Sequence, residues 1–120
     1  MELSGHQQQV CWEKVSRVNS FFRLTHPYCP EELSQKVLAV HALYACFDLL
    51  VHRASDEEVA QRQLEWWRNE TLPENIEVSR HPVVGGLRDT DAFSFFPPGA
   101  LSRLVEGAAR RLESRAPANL

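Results

Sequence analysis

Residues 32–70 constrain what this chain can fold into more than any other stretch. Apolar residues recur at Leu33, Val37, Val40, Tyr44, Phe47 and Val51, in steps of three and four that place them on one side of a helix. A second helical segment follows with almost no spacer. Ser55 with Glu58 three residues later has the form of a capping box, in which the hydroxyl accepts an amide and the carboxylate reaches back. Two helices joined so tightly lie side by side or meet at a sharp corner, and the other segments are expected to pack around them.

The flanking segments read as helix as well. The first is expected over residues 7–22, with Val10, Val15, Val18, Phe21 and Phe22 on its apolar side. Pro27 and Pro30 break the chain, and Pro30 with Glu31 and Glu32 suits the first turn of the helix that follows. Residues 71–75 read as a break. His81-Pro82-Val83-Val84 starts a short helix that stops at Gly85-Gly86 or at 89–91. A phenylalanine-rich loop (Phe93, Phe95, Phe96) leads to a last helix over 98–114 with Leu101, Leu104, Val105, Ala108 and Leu112 on one side. No strand is expected, so the class is all-α, with about four to five helices in a single domain spanning 1–120.

Composition narrows the function classes. The formal net charge is -3, from 13 basic and 16 acidic residues. No basic block stands out beyond Arg103, Arg110, Arg111 and Arg115, which argues against a nucleic-acid partner. No apolar run approaches the length of a membrane span, and the first residues lack the basic and apolar regions of a secretion signal. The expected location is cytoplasmic. Cys11, Cys29 and Cys46 form an odd set without a C-x-x-C pair, and read as reduced thiols.

The order of motifs is more specific than any of them singly. Ser20-Phe21-Phe22 ends the first helix and Pro30-Glu31-Glu32 opens the second. Ala42-Leu43-Tyr44-Ala45-Cys46-Phe47, Leu64-Glu65-Trp66-Trp67-Arg68, His81-Pro82-Val83 and Leu104-Val105-Glu106-Gly107 follow in turn. From about Val10 to Glu113 this resembles the N-terminal part of the squalene/phytoene synthase family. The resemblance implies an isoprenoid synthase fold whose members join two prenyl diphosphates, with Mg²⁺ held by two aspartate-rich segments on facing helices. Magnesium there neutralises the leaving diphosphate, and apolar walls keep water from the carbocation. The family's first such segment reads Tyr-Ala-Phe-Cys-Arg, two residues, then Asp-Asp-x-x-Asp. Laid on this sequence from Tyr44, the arginine position holds Asp48 and the aspartate positions hold Val51, His52 and Ser55. Arg110-Arg111 stand where the family has an acidic residue after Glu106-Gly107. The second aspartate-rich segment belongs to a C-terminal half absent from this sequence, so a truncated domain is expected.

The residues therefore favour a non-catalytic helical module with an interaction or assembly role. The resemblance supplies a precedent, since catalytically dead relatives serve in assembly of respiratory complex I. An enzyme is the alternative, as part of a split or truncated prenyl transferase with Mg²⁺ as its cofactor; otherwise no cofactor is expected. A third reading is a prenyl-lipid-binding protein with a tunnel beside Tyr44, Phe47 and Trp67, and with Asp48 these form the candidate substrate-binding set. Asp48, His52 and Asp56 fall at steps of four, which reads as a displaced metal or diphosphate site or as a solvated polar face beyond which Ser55 caps a new helix. Of Trp66 and Trp67, one ring is expected in the core and the other partly exposed. His81 reads as a helix-start residue, and Glu65 and Glu70 as solvated charges. A homo-oligomer or a subunit of a complex is expected, and the three phenylalanines offer a core plug or a peripheral membrane contact.

Overall fold

The computed structural model describes residues 3–18, 26–53, 56–97 and 99–115. Six α-helices make up this set: α1 (Gly5–Val18), α2 (Glu31–Arg53), α3 (Glu57–Glu70), α4 (Pro73–Ile76), α5 (Pro82–Asp89) and α6 (Ala100–Arg115). Short 3₁₀ turns occupy His26–Tyr28 and Ala92–Phe95, and no strand occurs among the described residues. The all-α expectation holds. The additional helix is α4, a single turn over the segment read as a break; Pro73 occupies its first turn, where a missing amide costs nothing.

The central helix is α2, which packs against α1, α5 and α6, while α3 packs mainly on α6. Its buried residues include Leu38, Ala39, Ala42, Leu43, Phe47, Leu50 and Val51, which spread around more than one face. The single apolar side drawn from the spacing is therefore corrected. Leu33 and Tyr44 lie on that side yet are exposed, Tyr44 by 52%. A helix walled on several sides loses the one-stripe pattern of a surface helix. This also explains why Leu33–His52, with scattered polar residues, is long and apolar enough to cross a membrane by length and composition; half of that stretch is buried inside the fold.

Local chemistry fixes the helix ends. Ser4 and Gln7 exchange a reciprocal pair: the Gln7 amide donates to Ser4 Oγ (3.1 Å) and the Ser4 amide to Gln7 Oε1 (2.9 Å). This is a capping box ahead of α1 that the sequence reading passed over. The Gln7 side-chain amide also donates to Asp89 Oδ2 (3.0 Å), tying α1 to the end of α5. That bond, with Arg88 alongside, holds the Asp89 carboxyl below the usual carboxylate range. Residues 19–22 of the expected first helix lie outside the described residues, as do Ser55 and Pro98.

The cap of α3 is Asp56, not Ser55 as part of a capping box. Its Oδ1 accepts from the Glu58 amide at 2.8 Å in extended backbone, while Glu58 itself pairs with Arg62. Asp56→Ala is expected to cost about 1 kcal/mol in a urea titration, the usual value of an N-cap, whereas Asp56→Asn should cost a few tenths. Equal stability of all three chains would refute the assignment.

The α5 helix runs straight through Gly85-Gly86 to Asp89, and Thr90 ends it by donating from Oγ1 to the Gly86 carbonyl (2.7 Å). A Cβ at Gly86 would stand 2.8 Å from Leu3 Cδ2, so a larger residue there would displace the end of that side chain. Arg88 reaches back to the carbonyls of Ile76 (3.2 Å) and Ser79 (2.8 Å), pinning α4 to α5. Arg68 grips Glu106 with two bonds, Nε to Oε2 (2.8 Å) and Nη2 to Oε1 (3.0 Å), and so clamps α3 to α6. Phe93 and Phe96 pack against the core with ring centroids 6.0 Å apart, which is the core-plug reading; the Phe95 side chain lies outside the described set.

Candidate functional site

Two faces of α2 carry chemistry, about half a helical turn apart. The first holds Tyr44, Asp48 and His52, the face that aligns with the aspartate-rich segment. Arg111 of α6 crosses to it: its Nη2 donates to Asp48 Oδ1 (2.7 Å) and to His52 Nε2 (3.2 Å), and His52 Nε2 lies 3.5 Å from the same Asp48 oxygen. Val51 beside them is only 1% exposed and packs in the core. Asp56 is not part of this face, because it caps α3 beyond the corner. The step-of-four set Asp48, His52 and Asp56 is thus not assembled, and no group of three His, Cys, Asp or Glu that could hold a metal ion occurs among the described residues.

These residues do not fit the magnesium that the family fold implies. Magnesium demands hard oxygen donors near octahedral geometry. Here one aspartate position is a buried valine and the next an imidazole. The one carboxylate nearby is already neutralised by a guanidinium, which would repel a cation brought to the same oxygens.

Of the three residues expected beside a lipid tunnel, Phe47 and Trp67 are buried in a tilted ring contact with centroids 5.0 Å apart, while Tyr44 is exposed. Trp66, next to the buried Trp67, is 43% exposed, as the adjacent-tryptophan reading expected.

The second face of α2 floors a groove of about 890 Å³, walled by α1 on one side and α3 on the other. Leu49, Leu50, Val59 and Trp66 supply apolar surface; Lys14, Arg17, Asp56 and Gln63 supply polar groups. His81 closes one end. Its Nδ1 accepts from the Val83 amide (3.2 Å), as the helix-start reading expected, and its ring touches Trp66 and Trp67 (5.2 Å each). Since Nδ1 is the acceptor, the proton of the neutral ring sits on Nε2. Behind it, Glu70 accepts a hydrogen bond from the Ser79 hydroxyl and so is not merely a solvated charge; Glu65 pairs with Arg68 at the surface.

Burial, with Lys14 next in effect, pushes the His81 imidazole below its ordinary value, against a smaller opposing pull from Glu70. Burial lowers His41 likewise, helped by His26. A histidine with a depressed folded pKa stabilises the fold above its unfolded value, near 6.5, and that stability is lost as pH falls below it. Protonation also removes the acceptor that caps α5. We expect stability to decline from pH 7 to pH 5, and His81→Asn, which keeps a cap acceptor but does not titrate, to flatten part of that decline. An unchanged profile in the variant would refute this role for His81.

Burial keeps Cys11 and Cys46 protonated at neutral pH. Burial pushes Cys11 up to about 12, with Cys46 adding to the effect, and Cys46 itself up to about 11 despite the counteracting Lys14. Of the residues on these two faces, sequence reasoning missed Arg111 as partner of Asp48, and Lys14 with His81 as lining of one groove. The Arg110-Arg111 pair was visible as a departure in charge, but no spacing rule links position 111 to position 48.

The described residues form an all-helical scaffold with the Asp48–Arg111 pair on one face of its central helix. The squalene/phytoene synthase family model matches residues 15–120, and the chain belongs to that family. Neither comparison with curated proteins nor comparison with solved structures gives a match.

Proposed function

We propose that this chain is a non-catalytic member of the squalene/phytoene synthase family that acts by docking onto another protein chain. The observation that carries the reading is the Asp48–Arg111 pair beside buried Val51: the segment corresponding to the diphosphate–magnesium site offers a cation where the chemistry needs carboxylates. An ionisable leaving group with no metal-binding partner gains no charge neutralisation as it departs. A docking role is supported by Leu33 and Tyr44, eleven positions apart and so on one side of α2, both exposed on the outer surface.

The activity half of the reading is tested by incubating the chain with farnesyl or geranylgeranyl diphosphate and Mg²⁺ and assaying released diphosphate. Release at the no-protein rate is expected; enzyme-dependent release would overturn it. The docking half is tested by light scattering of the purified chain beside a Tyr44→Glu variant. We expect an assembly larger than one chain that the variant disrupts, and a strictly monomeric species would count against self-association as its form.

A further inference from the structure

The geometry points to the groove between α1 and α3 as a binding site for a long-chain carboxylate, held apart from the aspartate-aligned face. Its volume of about 890 Å³ falls within the range of small-molecule sites, roughly 300–1,000 Å³. Its lining divides by chemistry. Leu49, Leu50, Val59 and Trp66 give an apolar bed, and Val59 and Trp66 are exposed there. Such half-exposed large side chains in a concave surface are what an apolar chain covers.

Charge selects the head group. Lys14 and Arg17 line the groove together with one carboxylate, Asp56. Arg17 is partly satisfied by Glu13 at 3.6 Å, whereas no carboxylate among the described residues pairs with Lys14. Lys14, Cys46 and His81 all line the same groove. There His81 lines the groove with Nδ1 occupied by the Val83 amide, and no described residue accepts its Nε2–H. An ammonium and a neutral N–H donor lining one groove suit a head group that only accepts, such as a carboxylate. The reading is independent of the proposed function, because it uses the opposite face of α2 and requires no metal.

The test is isothermal titration of the full chain with decanoate below its micelle concentration, with decanol as the uncharged counterpart. Saturable decanoate binding is expected, with no saturable heat from decanol. Lys14→Glu should weaken decanoate binding about tenfold or more, through loss of a charge-assisted contact. Val59→Glu, which places a charge on the exposed apolar bed, should abolish it. Both side chains lie at the surface, and thermal melting checks that each variant folds. Absence of saturable decanoate binding, equal binding of decanol, or wild-type affinity in both variants would each overturn the proposal.

Discussion

Restoring the family's aspartate at position 51 is expected to damage this protein rather than revive it. Val51 is 1% exposed, so the aspartate of Val51→Asp would enter the core between α2 and its neighbours. Among the described residues Arg110 and Arg111 line the shallow pocket beside Val51, and the Arg111 guanidinium is already committed to Asp48 at 2.7 Å. A buried carboxylate without a partner costs about 3–5 kcal/mol at neutral pH. Its pKa rises on burial, so the folded chain binds the proton more tightly than the unfolded one. The penalty is therefore full above the raised pKa and shrinks as pH falls toward 4, the reverse of the histidine effect. Urea titrations at pH 7 and pH 4.5 would show it, and Val51→Asn would share the neutral-pH loss without the pH dependence. Near-wild-type stability of Val51→Asp would mean that the position opens onto a solvated site, and would undercut the non-catalytic reading.

The second large effect is at Trp67. Its ring is buried and meets Phe47 (5.0 Å), Trp66 (5.0 Å) and His81 (5.2 Å), so it joins α3 to α2 and to the start of α5. Trp67→Ala should remove about 3–5 kcal/mol by lost transfer energy and residual cavity. Trp66→Ala, one residue away and half exposed, should cost about 1 kcal/mol or less. The contrast between adjacent tryptophans is the test. Similar losses would place the two rings in equivalent environments and contradict the packing described for α3.

The contrast also marks what a sequence can disclose. That the chain is helical, that one tryptophan is core and its neighbour is not, and that His81 opens a helix all follow from rules acting over a few residues. Periodicity could not say which side of α2 faces solvent, because α1, α5 and α6 surround it; Tyr44 was therefore placed inward and lies outward. The Ser55 cap was assigned by motif form, while Asp56, equally able to accept an amide, stands at the corner where α3 begins. The Ser4-x-x-Gln7 spacing that forms the capping box ahead of α1 is itself a local signal. The site was legible only as a loss: Val51, His52 and Asp48 are departures visible in an ordered set of motifs. That Arg111 supplies the countercharge, and that Lys14 and His81 line one groove, depends on helix packing across long sequence separations, which no local spacing encodes.

The central claim is that the face carrying Asp48, Val51 and His52 no longer works with magnesium. Its most direct test is isothermal titration of the purified chain with farnesyl diphosphate, with and without Mg²⁺. The account predicts that magnesium leaves the binding heat and affinity unchanged. Tight binding that appears only with magnesium, and is lost in Asp48→Asn, would contradict it and restore a metal-dependent diphosphate site to this helix.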